Sequence, residues 1–198
     1  MLLKRNKRKI VFSLLFFFIL SDTVFAKNQK KEDIKNYIEQ LKNFSASFIQ
    51  ENDNTIDEGK LYIGKERVRI DYFAPTNILI VLDSKKAMYY NYNLEEVEFF
   101  NPKKTSAWYF FELFKNKNFL DQSSIVAKNK NLIITKKVKN SDTVYNLKIY
   151  FEEDPMILRK IELFSEDFDY VISLFNHSYY EKFDRKFFKL ISPKIINN

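Results

Sequence analysis

Side chains that could carry out catalysis are scarce in this sequence and stand apart from one another. The chain contains a single histidine, His177, and no cysteine. Thiol chemistry is therefore excluded, and no His/Asp/Glu spacing predicts a metal site. His177 lies in a strand-like stretch, 174–179, where a structural or surface role is the ordinary one. We predict no metal and no cofactor.

The remaining polar residues and the glycines also form no recognisable catalytic motif. Glu95-Glu96 and Glu152-Glu153 fall in turns or at strand ends, where carboxylates are usually solvated. Only two glycines are present, Gly59 and Gly64. Phosphate-binding loops and the nucleophile elbow both need glycines at fixed spacing, so the sequence gives almost no support for either motif. The sequence therefore predicts a protein that is not an enzyme and has no catalytic residue, although two inward-facing carboxylates, as in a glycosidase, stay open.

The charge pattern does not indicate a nucleic-acid partner. The formal net charge is +7, but five of the basic residues lie between Lys4 and Lys9. The other basic runs, 27–31 and 128–139, are interpreted as solvated turns and faces. We predict no nucleic-acid binding.

The first 26 residues have the layout of a secretory signal. The basic segment is followed by an apolar run, Ile10–Leu20, and then by Val24 and Ala26, which suit the −3 and −1 positions of a signal peptidase site. We predict cleavage after Ala26, which leaves one domain, 27–198, in the periplasm. The alternative is an uncleaved anchor, but eleven residues at ~1.5 Å each span about half of a ~30 Å hydrocarbon core.

The rest of the chain alternates like a series of short antiparallel strands. An apolar stripe at helical spacing, Ile34 to Phe44, predicts one helix, and the apolar segment 106–114, capped by Thr105 or Ser106, predicts another. The period-2 pattern predicts strands at 44–50, 60–63, 67–72, 78–82, 88–92, 95–100, 131–135, 143–151, 157–164, 169–178 and 186–190. A sheet of that size must curl or close to hide its apolar face, and the two helices could cover it.

Aromatic residues make up 17% of the chain, which is compatible with two interpretations. They could line a large apolar cavity, or they could reflect codon bias in an AT-rich genome. Composition alone does not separate these.

Several motifs together resemble the periplasmic outer-membrane lipoprotein carrier family, LolA. The resemblance rests on their order and spacing along the mature chain: Phe44-x-Ala46-x-Phe48-x-Gln50, Gly59-x-Leu61-Tyr62-Ile63, Arg69-Ile70-Asp71-Tyr72 with Pro75, Ile80-Val81-x-Asp83, Tyr89 to Val97, Leu158-x-x-Ile161, and Phe183-Asp184-x-x-Phe187 with Pro193. It implies a mainly β, single-domain fold: an unclosed antiparallel half-barrel of about eleven strands with a short helical lid.

The resemblance also implies a function and a site. The protein would be a periplasmic carrier that binds the acyl chains of lipoproteins and works as a monomer. It would take its cargo from an inner-membrane ABC transporter and pass it to an outer-membrane receptor. The expected acyl-chain lining is Val68, Ile70, Tyr72, Ile78, Ile80, Met88 and Tyr90, with Trp108 in the lid. The alternative is that the same face is simply a closed core.

One departure from the family concerns the lid. The family usually places Arg-Pro after the second strand, and that Arg holds the lid; this sequence has Gly64-Lys65-Glu66 instead. Lys65 is the nearest cation, although lysine lacks the planar fork of arginine.

A second hypothesis, of another class, is a module of the same fold that senses lipoproteins or lipids without carrying them.

Overall fold

Eleven antiparallel strands form a single sheet in the computed structural model, which describes residues 28–52, 55–140, 143–166 and 169–196. The strands are β1 (Phe44–Asn52), β2 (Thr55–Ile63), β3 (Val68–Ala74), β4 (Ile78–Leu82), β5 (Ala87–Asn91), β6 (Glu96–Phe100), β7 (Ser124–Lys128), β8 (Asn131–Asn140), β9 (Thr143–Glu153), β10 (Met156–Phe164) and β11 (Asp169–Ser178). The predicted signal segment and its cleavage point lie outside the described residues.

The sheet is not closed. Its order is β6-β5-β4-β3-β2-β1-β11-β10-β9-β8-β7, so β1 and β11 join two meanders and β6 and β7 form the edges. Neighbouring strands within each meander are joined by short connections, such as the turn at Asp154-Pro155 between β9 and β10, which go with antiparallel pairing. The longer connection from β6 to β7 contains the helix Ala107–Lys115. The prediction of an unclosed, mainly β domain with few short helices is confirmed.

Helices cover one face of this sheet, which we call the inner face; the opposite one is the outer face. Helix α1 comprises residues 28–40, and α2 comprises Ala107–Lys115 after a 3₁₀ turn, Pro102–Lys104. The apolar stripe of α1 packs into one continuous core with α2 and the inner face. Its buried members are Ile34, Tyr37, Ile38 and Leu41. A last helical turn, α3, comprises Pro193–Ile196.

Polar contacts fix α1 over the β9–β10 half of the sheet. Lys30 pairs with Glu153 at 2.6 Å, and Lys35 pairs with Asp121 at 2.7 Å in the connection before β7. The Tyr37 ring meets Phe151 edge to face at 6.0 Å. The helix thus has both apolar and ionic attachment to strands far away in the sequence.

Two details of the strand prediction are wrong. Strand β7, Ser124–Lys128, was not predicted, because only Ile125 in it is buried and no alternation stands out. The segment 186–190, predicted as a strand, forms turns instead, with backbone hydrogen bonds from Phe187 to Asp184 and from Lys189 to Lys186.

The end of the chain lies as a strap across the outer face. This strap, residues 179–192, places Phe183 and Phe187 against Tyr62 of β2, at 6.0 and 4.8 Å between ring centroids. Leu190 covers a small outer cluster consisting of Leu79, Val81, Met88 and Tyr90. Side-chain contacts rather than a β-ladder therefore hold this segment.

A search of the described ranges finds no helix with the length and apolarity needed to cross a bilayer.

Candidate functional site

An apolar crevice lies on the inner face beneath α2. Phe110 of α2 faces it, and the sheet residues around it come from β1, β2, β3, β10 and β11: Phe48, Leu61, Ile70, Tyr72, Ile161, Ile172 and Leu174. The crevice has a volume of about 20 Å³, which is room for about one water molecule. Ligand pockets commonly measure ~300–1,000 Å³. The crevice is therefore too small, as it stands, to hold a ligand of ordinary size.

A glycine shapes the wall of this crevice. A Cβ atom on Gly59 would lie 2.3 Å from the Asp71 carbonyl oxygen and 2.5 Å from Cζ of Phe48. Its absence lets the Phe48 ring lie across β2 and meet Tyr72 edge to face at 5.1 Å. Because the neighbouring atom is backbone, no small side-chain movement would make room for a larger residue.

Helix α2 is short and apolar on nearly every side. It has nine residues, and Tyr109, Phe111, Leu113 and Phe114 are buried. Trp108 is half-buried and stacks on Phe111 at 5.2 Å, so it is part of α2, although it does not line the crevice. Ser106 occupies the N-cap position, but its side chain makes no capping hydrogen bond.

One buried side-chain polar atom among the described residues has no hydrogen-bond partner. The hydroxyl of Tyr109 has no hydrogen-bond partner within the described part of the chain. Burial, with a smaller contribution from Tyr145, raises the pKa of Tyr109 to about 12. An unsatisfied buried hydroxyl costs about 1–3 kcal/mol, so packing α2 on the sheet is not fully favourable.

A lysine at the end of α2 attaches it to the β2–β3 turn. Nζ of Lys115 donates to the Gly64 carbonyl at 2.5 Å. Burial, followed by repulsion from Lys42, lowers the pKa of Lys115 to about 8. Lys65, the cation that the family resemblance pointed to, has an exposed side chain in the same turn. The structure thus provides a cation on the helix and an acceptor on the turn.

The predicted acyl-chain lining is divided between the two faces. Strand register aligns Val68 with Leu82, Ile70 with Ile80 and Tyr72 with Ile78 on the inner face. Of these, Ile70 and Tyr72 line the crevice.

Met88 and Tyr90 require a correction, because they lie on the outer face under Leu190. The register pairs Ile80 with Tyr89 and Val81 with Met88. Since side chains alternate along a strand, the inner residues of β5 are Ala87, Tyr89 and Asn91. Both faces of β4 and β5 are apolar, so the sequence could not indicate which alternate set faced inwards.

His177 has a structural role in this arrangement. Its Nε2 lies 2.9 Å from the Leu158 carbonyl oxygen, while the Leu158 N–H donates to the Tyr37 hydroxyl at 3.1 Å. The β9–β10 register shifts between Leu158 and Lys160, which interrupts the ladder there. The N–H and carbonyl of Leu158 bond to side chains instead. Burial lowers the pKa of His177. No group of three or more His, Asp or Glu residues in the described ranges is arranged to hold a metal ion.

The sequence interpretation did not single out Phe110 or Lys115. Phe110 is one of several aromatic residues in α2, and the helical period alone does not say which of them faces the middle of the sheet. The period-2 patterns did indicate the sheet side of the crevice, since Ile70 and Tyr72 belong to one alternating strand.

Comparison with known proteins agrees with this architecture. An uncharacterized protein of Rickettsia prowazekii (strain Madrid E) is 26% identical over 196 residues, which are 96% of this chain and 91% of the relative. The crystal structure of an uncharacterized conserved protein from Thermus thermophilus matches with a TM-score of 0.53 at 8% identity, over 82% of this chain and 93% of that one. At this identity the likeness concerns the fold alone.

A looser similarity links the chain to the complex of MucA and MucB from Pseudomonas aeruginosa, with a TM-score of 0.46 and 12% identity over 81% of this chain and 60% of that one. The model of the family described as outer membrane lipoprotein carrier protein LolA matches residues 39–191. Members of that family are periplasmic binding proteins rather than enzymes. The chain belongs to the LolA family of outer membrane lipoprotein carrier proteins.

Proposed function

We propose that the protein is a periplasmic carrier that binds the acyl chains of lipoproteins on its inner face and moves them from the inner to the outer membrane. An inner-membrane ABC transporter would load it, and an outer-membrane receptor would unload it. Family membership supports this role. The observation that carries it is that Phe110, from a short helix, occupies the crevice between the strands.

In this proposal α2 is a displaceable lid. A nine-residue helix is marginal on its own and depends on its tertiary contacts. The unpaired Tyr109 hydroxyl opposes the closed state. Each methylene of a bound chain contributes about 0.8 kcal/mol of burial. Cargo can therefore replace Phe110 and the lid without a separate energy source in the carrier.

We propose Lys115, rather than Lys65, as the residue that secures the lid. Lys115 bonds directly to the β2–β3 turn, whereas Lys65 points into solvent. The proposed acyl-chain lining consists of the crevice residues and their inner-face neighbours Val68, Ile78 and Ile80.

Binding of a fluorescent fatty-acyl probe tests the proposal. We expect saturable binding to the natural chain, and about tenfold tighter binding to Phe110→Ala, which corresponds to ~1.4 kcal/mol, because the probe no longer competes with the Phe110 ring. Phe99→Ala is the matched control, since Phe99 lies on the outer face and is 47% exposed. Its affinity should equal that of the natural chain.

Thermal unfolding must first establish that each variant is folded. Absence of saturable binding to the folded natural chain would contradict the proposal. Equal affinities of the probe for the natural chain and Phe110→Ala would show that Phe110 does not compete with a bound acyl chain.

A further inference from the structure

A small polar cluster interrupts the apolar inner face at one end of the crevice. The Tyr72 hydroxyl donates to Oε1 of Gln50 at 3.0 Å, and Nε2 of Gln50 lies 3.5 Å from Oδ2 of Asp57. Gln50 is only 8% exposed. In the strand register it lies opposite Asp57 on one side and Ile172 on the other. Since Ile172 and Tyr72 both line the crevice, Gln50 borders it.

Gln50 has a structural role that uses only part of its amide. Its Oε1 accepts from the Tyr72 hydroxyl, which an apolar side chain would leave without a partner. The amide also has capacity beyond the two described contacts. Nε2 carries two hydrogens and Oε1 has two lone pairs, so one donor and one acceptor position remain for a ligand.

The charge of the cluster determines which ligands it can accept. Asp57 is half-buried beside Gln50 and brings a carboxylate to this end of the crevice. Burial, followed by the negative charge of Asp57 and by Tyr170, raises the pKa of Tyr72. An environment that opposes ionisation of a phenol equally opposes the arrival of another anion.

We propose that the polar head of the acyl ligand binds at the cluster formed by Gln50, Asp57 and Tyr72. The cluster would bind chains joined through neutral ester or amide groups and would disfavour chains with anionic heads. This inference rests on the proposed function, because it assumes that acyl chains enter the crevice.

The chemistry of the two ligand classes explains the discrimination. An ester or amide carbonyl can accept the remaining Nε2 hydrogen of Gln50, and an amide N–H can donate to its Oε1. A fatty carboxylate or a lipid phosphate would meet the carboxylate of Asp57 at close range, where juxtaposed like charges cost several-fold to many-fold in affinity.

Competition between matched ten-carbon ligands tests this proposal. Decanamide and decanoate carry the same chain and differ in head charge, and each is titrated against the bound fluorescent fatty-acyl probe, made as a neutral ester, at pH 7.5. For the natural chain we expect decanamide to compete about tenfold better than decanoate. Asp57→Asn should reduce that ratio to about twofold or less, and Asp57→Lys should reverse it. Asp154→Asn, a change in the exposed β9–β10 turn, is the control and should leave the ratio unchanged.

Two results separate this proposal from the proposed function. If the probe binds saturably but Asp57→Asn and Asp57→Lys leave the ratio as it is in the natural chain, the head-group proposal is overturned and the acyl-chain site remains. If the folded natural chain does not bind the probe at all, the proposed function fails first. Gln50→Leu adds a check, since it should weaken decanamide more than decanoate and so lower the ratio.

Discussion

At the scale of single residues, Lys115 combines a charge with a buried position. Its amine bonds to Gly64, and it shares a groove between α1 and α2 with Lys35, Glu39, Lys42 and Lys117. Lys35 is paired with Glu32 and Asp121. Because burial and Lys42 lower the pKa of Lys115 to about 8, the folded chain holds a proton on this amine less readily than the unfolded chain.

This pKa predicts a pH dependence of stability. The unfolded chain, with a lysine pKa of 10.5, binds more protons than the folded chain between pH 8 and 10.5, so the free energy of unfolding should rise through that window. In urea titrations the natural chain should gain on the order of 1–2 kcal/mol relative to Lys115→Met between pH 7.5 and 10. Lys117→Met, which removes an exposed neighbour, should run parallel to the natural chain. Parallel curves for Lys115→Met would refute the prediction.

At the scale of elements, Arg69 of β3 attaches the strap to the sheet through several contacts at once. The Arg69 guanidinium contacts both Asp71 oxygens at 2.8 and 2.9 Å, donates to the Phe187 carbonyl at 2.8 Å, and lies 4.1 Å from the centre of the Phe187 ring. Lysine cannot make this set of contacts, because it lacks the planar fork.

We therefore expect Arg69→Lys to loosen the strap without unfolding the sheet. Amide hydrogen exchange in residues 183–190 should become about tenfold faster, equivalent to ~1.4 kcal/mol of local stability. Arg159→Lys is the matched control, because Arg159 pairs with Glu152 where both side chains are about 40% exposed. That pair should contribute little. Unchanged exchange in the strap of Arg69→Lys would show that its other contacts hold it, namely aromatic packing and the hydrogen bond from Arg67 to the Phe188 carbonyl.

At the scale of the whole molecule, the filled crevice bears on how a carrier could release its cargo. Bound acyl chains would compete with Phe110, which keeps the affinity of the carrier moderate. Cargo moves onward only when the receiving site binds it more tightly. A carrier and a sensor of the same fold differ in this respect, because a sensor need not hand anything on.

Depletion of the protein in its own cell distinguishes the two. We expect lipoproteins to accumulate in the inner membrane, because nothing then carries their acyl chains across the periplasm. Expression of the natural chain, or of Phe99→Ala, should restore their distribution. Normal lipoprotein sorting accompanied only by an altered stress response would favour the sensor.

The sequence by itself predicted most of the secondary structure, although it missed β7 and placed a strand at 186–190. Alternation in β3, β9 and β11 predicted strands with one apolar face, and the stripe from Ile34 to Leu41 predicted α1, because both periods follow directly from backbone geometry. The lone His177 and the absence of cysteine limit the possible chemistry whatever fold the chain adopts.

Only the tertiary structure decided which apolar residues line the crevice. Met88 and Tyr89 are equally compatible with either face of β5, and register with β4 places Tyr89 inwards. Phe110 is selected from the several aromatic residues of α2 by how the helix lies on the sheet. Lys115 and the strap depend on contacts between residues about 50 and 120 positions apart. Local periodicity carries no information about such pairs, because they are chosen by packing of the whole chain.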